Sequence, residues 1–129
     1  MGKIYKFDPQ IYPLMVWVTV KPTISQLSER FVILKEDNVT KEEITDDSIK
    51  PYWGACRLTV IEKETRHTGS LIAIMRPNVC TDRTLVHEAS HAYDDFADLL
   101  NLPYDGETRS YLTEWIFQMA KDVFKGKVK

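Results

Sequence analysis

Apolar residues run almost unbroken from Ile11 to Val20. Within that run Pro13 to Lys21, rich in Val and carrying Trp17 and Thr19, predicts a buried strand that Lys21-Pro22 closes. Thr23 is placed to cap a short helix in which Ile24, Leu27 and Phe31 recur at helical steps; Phe31-Val32-Ile33-Leu34 fits a strand equally well. Glu36 to Lys50 carries six acids and two lysines around isolated Val39 and Ile44, which predicts a solvated excursion or a marginal helical turn. Apolar and polar positions partly alternate from Ala55 to Glu64. Gly69 to Met75 follows after Thr65-Arg66-His67-Thr68, a connection short enough for a β-hairpin, and Pro77-Asn78 ends it.

The last third changes period. Thr81 or Asp82 can cap a helix running to about Leu100, where Asn101 and Pro103 stop it. Tyr104-Asp105-Gly106 makes a turn, with Asp105 the expected N-cap of a final helix from about Gly106 to Phe124; Gly126 sits where a C-terminal glycine belongs. The order is strand, helix, two strands, two helices. This predicts one α+β domain over residues 1–129, a small N-terminal sheet with a hairpin followed by two packed C-terminal helices.

Charge narrows the function classes. Seventeen Lys and Arg stand against 19 Asp and Glu, a formal charge of −2, so the cationic surplus of a non-specific nucleic-acid binder is missing. The Ile11–Val20 run is too short for a bilayer span, for which about 20 residues are needed, and no small-residue cleavage site follows it. Met1-Gly2 is followed by Lys6 where myristoylation wants Ser or Thr. Cys56 and Cys80 have no CxxC spacing and read as free buried thiols. A cytoplasmic protein without membrane or nucleic-acid partners is expected.

His87-Glu88-Ala89-Ser90-His91 is an HExxH pattern, and this composition would yield it by chance roughly 0.005 times. Residues four apart lie one turn up the same helix face, so two imidazoles can reach one metal ion, with zinc favoured for two neutral nitrogen ligands. Glu88, about 100° around the helix, flanks the place of a water activated by that metal. On the wheel Leu85, Ala89, Ala92, Tyr93, Phe96, Leu99 and Leu100 form the core stripe. His87, His91, Asp94, Asp95 and Asp98 gather opposite, where Asp94 and Asp95 read first as solvated acids and second as supports behind the ligands.

A metal held by two histidines needs a third protein ligand. The acids available on the next helix are Glu107, in its first turn, and Glu114, two turns on; both avoid the apolar stripe of Leu112, Trp115, Ile116, Met119 and Val123. The wheel does not separate them. Glu107 is preferred because the turn at Tyr104 to Gly106 folds the helix back along its predecessor.

With these residues in place, the chain resembles the zincins, and among them gluzincin-type metallopeptidases, in which a Glu from a following helix completes HExxH. It is most similar to short single-domain HExxH proteins carried by tailed bacteriophages, over about residues 80–120: His87 to Asp94, then Glu107-Thr108-Arg109-Ser110-Tyr111-Leu112-Thr113-Glu114-Trp115-Ile116. The resemblance implies Zn2+ held by His87, His91 and Glu107, Glu88 as general base, and hydrolysis of a peptide bond in a peptide or protein substrate. It also implies a minimal zincin-like fold whose strand before the active helix, here Gly69 to Met75, lines the cleft as an edge strand, and a location in host cytoplasm or virion. Tyr111, one turn after Glu107, and His67 at the hairpin connection are the candidates for stabilising the oxyanion. The alternative is a non-catalytic, virion-associated or regulatory binding protein that keeps the scaffold, with Tyr5, Phe7, Tyr12, Tyr52 and Trp53 as core or contact residues.

Overall fold

The computed structural model of the chain describes residues 3–50 and 52–128; Met1 and Gly2, on which the acylation reading turns, lie outside them. Six strands form one sheet: β1 (Ile4–Phe7), β2 (Met15–Val20), β3 (Phe31–Leu34), β4 (Lys41–Glu43), β5 (Cys56–Glu62) and β6 (Thr68–Ile74). Their order across the sheet is β1-β2-β6-β5-β3-β4, antiparallel throughout except for the parallel pair β2 and β6. The helices are α1 (Ile24–Arg30), α2 (Asp82–Leu100) and α3 (Glu107–Phe124), so the chain is an α+β domain.

Period-two alternation splits the core between the sheet's faces. Val16, Val18, Ile72 and Ile74 point to one side and pack against Leu85, Ala89 and Phe96 of α2 and Leu112, Ile116 and Ala120 of α3. Tyr5, Phe7 and Tyr12 join this cluster from its margin. Trp17, Leu71, Ala73, Cys56 and Val60 point to the other side and meet Leu27 of α1, Phe31, Ile44 and Ile49. Tyr52 and Trp53 remain exposed and meet edge to face.

Several expectations change here. The sheet is wider than a small N-terminal one, because β1 and β4 add an edge strand on each side. The segment 36–50 is not wholly solvated: Lys41–Glu43 pairs with β3, and Ile44 and Ile49 are buried plugs on the second face. Burying two such side chains stabilises the domain by roughly 3–6 kcal/mol, enough to order a segment that is otherwise charged. Phe31 to Leu34 resolves as strand, since the capping box of Thr23 and Gln26 starts a helix that ends at Arg30.

β6 is not an edge strand. It lies between β2 and β5, and an ideal Cβ at Gly69 would fall 1.8 Å from the Met15 carbonyl oxygen, so the close approach of β2 requires glycine there. β6 therefore has no free backbone edge to offer a ligand.

Thr81 caps α2 in a reciprocal box with Thr84, and Asn101 ends it in the left-handed region. Asp105 does not cap α3; Gly106 occupies that position at φ 90° without a side-chain cap. Beside its apolar stripe in the core, α3 is stapled to α2. Arg109 donates to Asp94 at 2.8 Å and to the Ser90 hydroxyl, and Lys121 donates to Asp82 at 3.1 Å. The two helices thus run antiparallel across β2, β6 and β5.

Candidate metal centre

The HExxH segment lies mid-way along α2, where Leu85, Ala89 and Ala92 are fully buried against the sheet and turn His87 and His91 outward. Their Nε2 atoms are 3.1 Å apart and the rings stand 86° to one another. A tetrahedral zinc ion with bonds of about 2.05 Å separates two nitrogen ligands by about 3.3 Å, so the pair already has the span of two metal positions. Without a metal, the same spacing is an N–H···N hydrogen bond in which the accepting ring carries its proton on Nδ1. Asp94 Oδ2 is 3.9 Å from His91 Nδ1, too long for a direct hydrogen bond.

Glu88 turns toward β5 and is half-buried. Burial raises its pKa above the ordinary 4.5, while His87, His91 and Arg57 favour the charged form and oppose the rise. Next to it Arg57 of β5 donates from Nη1 to both oxygens of Asp95 at 2.9 Å and to Thr59 at 2.9 Å; Ser70 adds a 2.7 Å bond to Asp95. This polar cluster ties α2 to β5 and β6 directly behind the motif. Burial likewise raises the pKa of Asp95, against the pull of Arg57 and the hydrogen bonds of Ser70 and Thr59.

The other site residues lie apart. Glu107 and Tyr111 line a surface hollow of about 410 Å3 with Ile11, Tyr12 and Trp115, and Glu114 is exposed further along α3. Among the described residues no group of three His, Cys, Asp or Glu side chains is close enough to hold a metal, so neither Glu107 nor Glu114 joins the histidine pair in this structure. Neither cysteine is grouped with the pair among the described residues. Burial, and then the charge of Glu88, push the Cys56 thiol up to about 12, and both thiols are buried and free. His67 accepts from Lys6 Nζ at 2.8 Å at the Glu62 end of β5, away from the pair.

Two members of this region escaped the sequence reading. Arg57 had a faint signal, a lone cation within an alternating strand with Thr59 two residues on, which marks a polar patch on the helix side of the sheet. Arg109 had none, because its role depends on how α3 packs on α2.

No protein-family model, curated protein or solved structure matches the chain. Among the described residues no helix is long and apolar enough to cross a membrane.

Proposed function

We propose that the chain is a zinc-dependent, metallopeptidase-like protein that hydrolyses a peptide bond in a peptide or protein substrate. The observation that carries this reading is the pair of imidazole Nε2 atoms 3.1 Å apart with half-buried Glu88 between them in sequence. His87 and His91 would hold the metal with Glu107 as third ligand, Glu114 being the competing acid. A bound zinc ion would supply Lewis acidity and lower the pKa of a water to about 7.

The protein's own part is proton management and positioning. Glu88 accepts the proton of the attacking water and returns it to the leaving amine; a carboxylate whose pKa is raised by burial holds that proton better than an exposed one. Arg57 stands behind it, its guanidinium fixed by Asp95, and adds to the pull of His87 and His91 toward the charged form of Glu88. Tyr111 is the proposed donor to the oxyanion, travelling with Glu107 on α3. Host cytoplasm or a phage particle is the proposed setting, on the resemblance alone.

One observation favours the second reading, a non-catalytic binding or regulatory protein on the same scaffold: the third ligand stands away from the pair. Zinc loading and digestion of a labelled, unfolded protein separate the two. The first reading expects zinc-dependent cleavage that Glu88→Gln reduces at least ~100-fold while zinc stays bound. Cleavage undiminished in Glu88→Gln removes Glu88 from the mechanism, and bound zinc without cleavage in either protein selects the scaffold reading.

A further inference from the structure

A groove of about 1000 Å3 runs beside α2, floored by β3 and β5 and walled on its far side by the 35–40 connection. It begins one turn from the motif: Asp94 and Asp95 line it, and Asp94 Oδ2 is 3.9 Å from His91 Nδ1. Its charge is lopsided. Of the two cations lining it, Lys35 is held by Glu42 at 2.6 Å and Arg57 by Asp95 at 2.9 Å. Asp94 is matched by Arg109, which reaches across from α3.

Three further carboxylates line the groove without a cationic hydrogen-bond or salt-bridge partner among the described residues. Asp37 accepts hydrogen bonds from neutral donors, the backbone N–H groups of Val39 and Thr40 and the Thr40 hydroxyl, which with a smaller pull from the charge of Lys35 hold its carboxyl down at about 2 and therefore ionised. Asp98 accepts the Tyr104 hydroxyl. Glu36 makes no salt bridge among the described residues. These acids do not converge into a metal-chelating group, so the groove presents separated negative charges along its length. Ile33, Leu34 and Leu99 give it an apolar floor between them, the surface on which the alkyl stems of lysine or arginine lie.

We propose that this groove binds an extended, lysine- or arginine-rich peptide segment, making cationic protein segments the substrate class of the HExxH site at its end. A single ion would need converging ligands, and a nucleic acid would be repelled by the same carboxylates. The substrate assignment rests on the catalytic reading above, whereas the groove and its charge do not.

The test uses a fluorescein-labelled octapeptide of alternating Lys and Ser, its Glu-Ser counterpart and free spermine as competitor, followed by anisotropy at low salt where exposed charges are least screened. The expected result is Lys-Ser binding at least tenfold tighter than Glu-Ser, weakened about three- to tenfold by the double substitution Glu36→Gln with Asp98→Asn. Binding measured with a chelator present should equal binding measured without it, which keeps this outcome separate from that of the metal reading. Equal binding of the two peptides, or binding indifferent to the double substitution, overturns the proposal; so does displacement of the peptide by an equimolar amount of spermine, which would mark a site for small polyamines.

Discussion

Arg57 on β5 grips both carboxylate oxygens of Asp95 on α2, at 2.9 Å each, and its Nε is buried without a partner of its own. Removing the acid would leave a largely buried guanidinium with its charge unmatched. Asp95→Ala is expected to destabilise the fold by about 3–5 kcal/mol, and the double substitution Arg57→Met with Asp95→Leu to recover most of that loss. Urea denaturation of the two variants beside the unaltered protein checks this. If both changes were equally costly, the ion pair would not be what ties α2 to the sheet.

Glu62 gives a pH-dependent counterpart at the far end of β5. Burial pushes its pKa up, but Lys6, Thr65 and Arg30, all hydrogen-bonded to it at 2.6–2.7 Å, outweigh burial and hold it at about 2. A folded pKa below the unfolded 4.5 means stability that is full above pH 4.5 and lost as pH falls toward 2. The shift corresponds to about 3 kcal/mol, reduced to about 2 because Lys6 and Arg30 are partly open to water. The stability gap between the protein and Glu62→Gln should therefore narrow between pH 4.5 and 2.5. A gap that stays constant would contradict the assignment.

Gly69→Ala tests the parallel pairing of β2 and β6. The added methyl would sit 1.8 Å from a backbone oxygen, which no side-chain rotation relieves. Loss of folding, or destabilisation by more than ~3 kcal/mol, is expected in thermal melts. A near-neutral substitution would mean the two strands do not approach as described.

Legibility in the sequence followed the physics of each element. α2 could be read with its caps, its core stripe and its outward histidines, because period and capping are local and 19 residues are enough to express them. β4 could not, since Lys41-Glu42-Glu43 has no apolar position and is a strand only through its backbone ladder to β3. Ile44 and Ile49 were hidden by polar neighbours, their burial depending on the open face of a sheet formed elsewhere in the chain. The wheel gave the direction of Glu107 and Glu114 but not their distance from the pair, which the α2–α3 packing decides. Arg57 and Arg109 belong to the same class of residue, given their partners only by tertiary contact.

Glu88 should set the acid side of any hydrolytic activity. The base must be ionised to accept a proton, and burial raises its pKa even against His87, His91 and Arg57. Activity is expected to fall with decreasing pH as Glu88 takes up a proton, and Arg57→Met should move the midpoint higher, because Arg57 favours the charged form. A pH–rate profile of the two proteins measures this. A midpoint unmoved or lowered by the substitution would take Arg57 out of the site.

The central claim is that His87 and His91 form a metal-binding pair, and zinc stoichiometry measures it most directly. Protein purified without added zinc should contain about one equivalent by elemental analysis, with His87→Ala losing it and remaining folded by circular dichroism. Glu107→Gln and Glu114→Gln in the same assay identify the third ligand. Zinc absent from the unaltered protein even after loading, or retained undiminished in His87→Ala, would contradict the account.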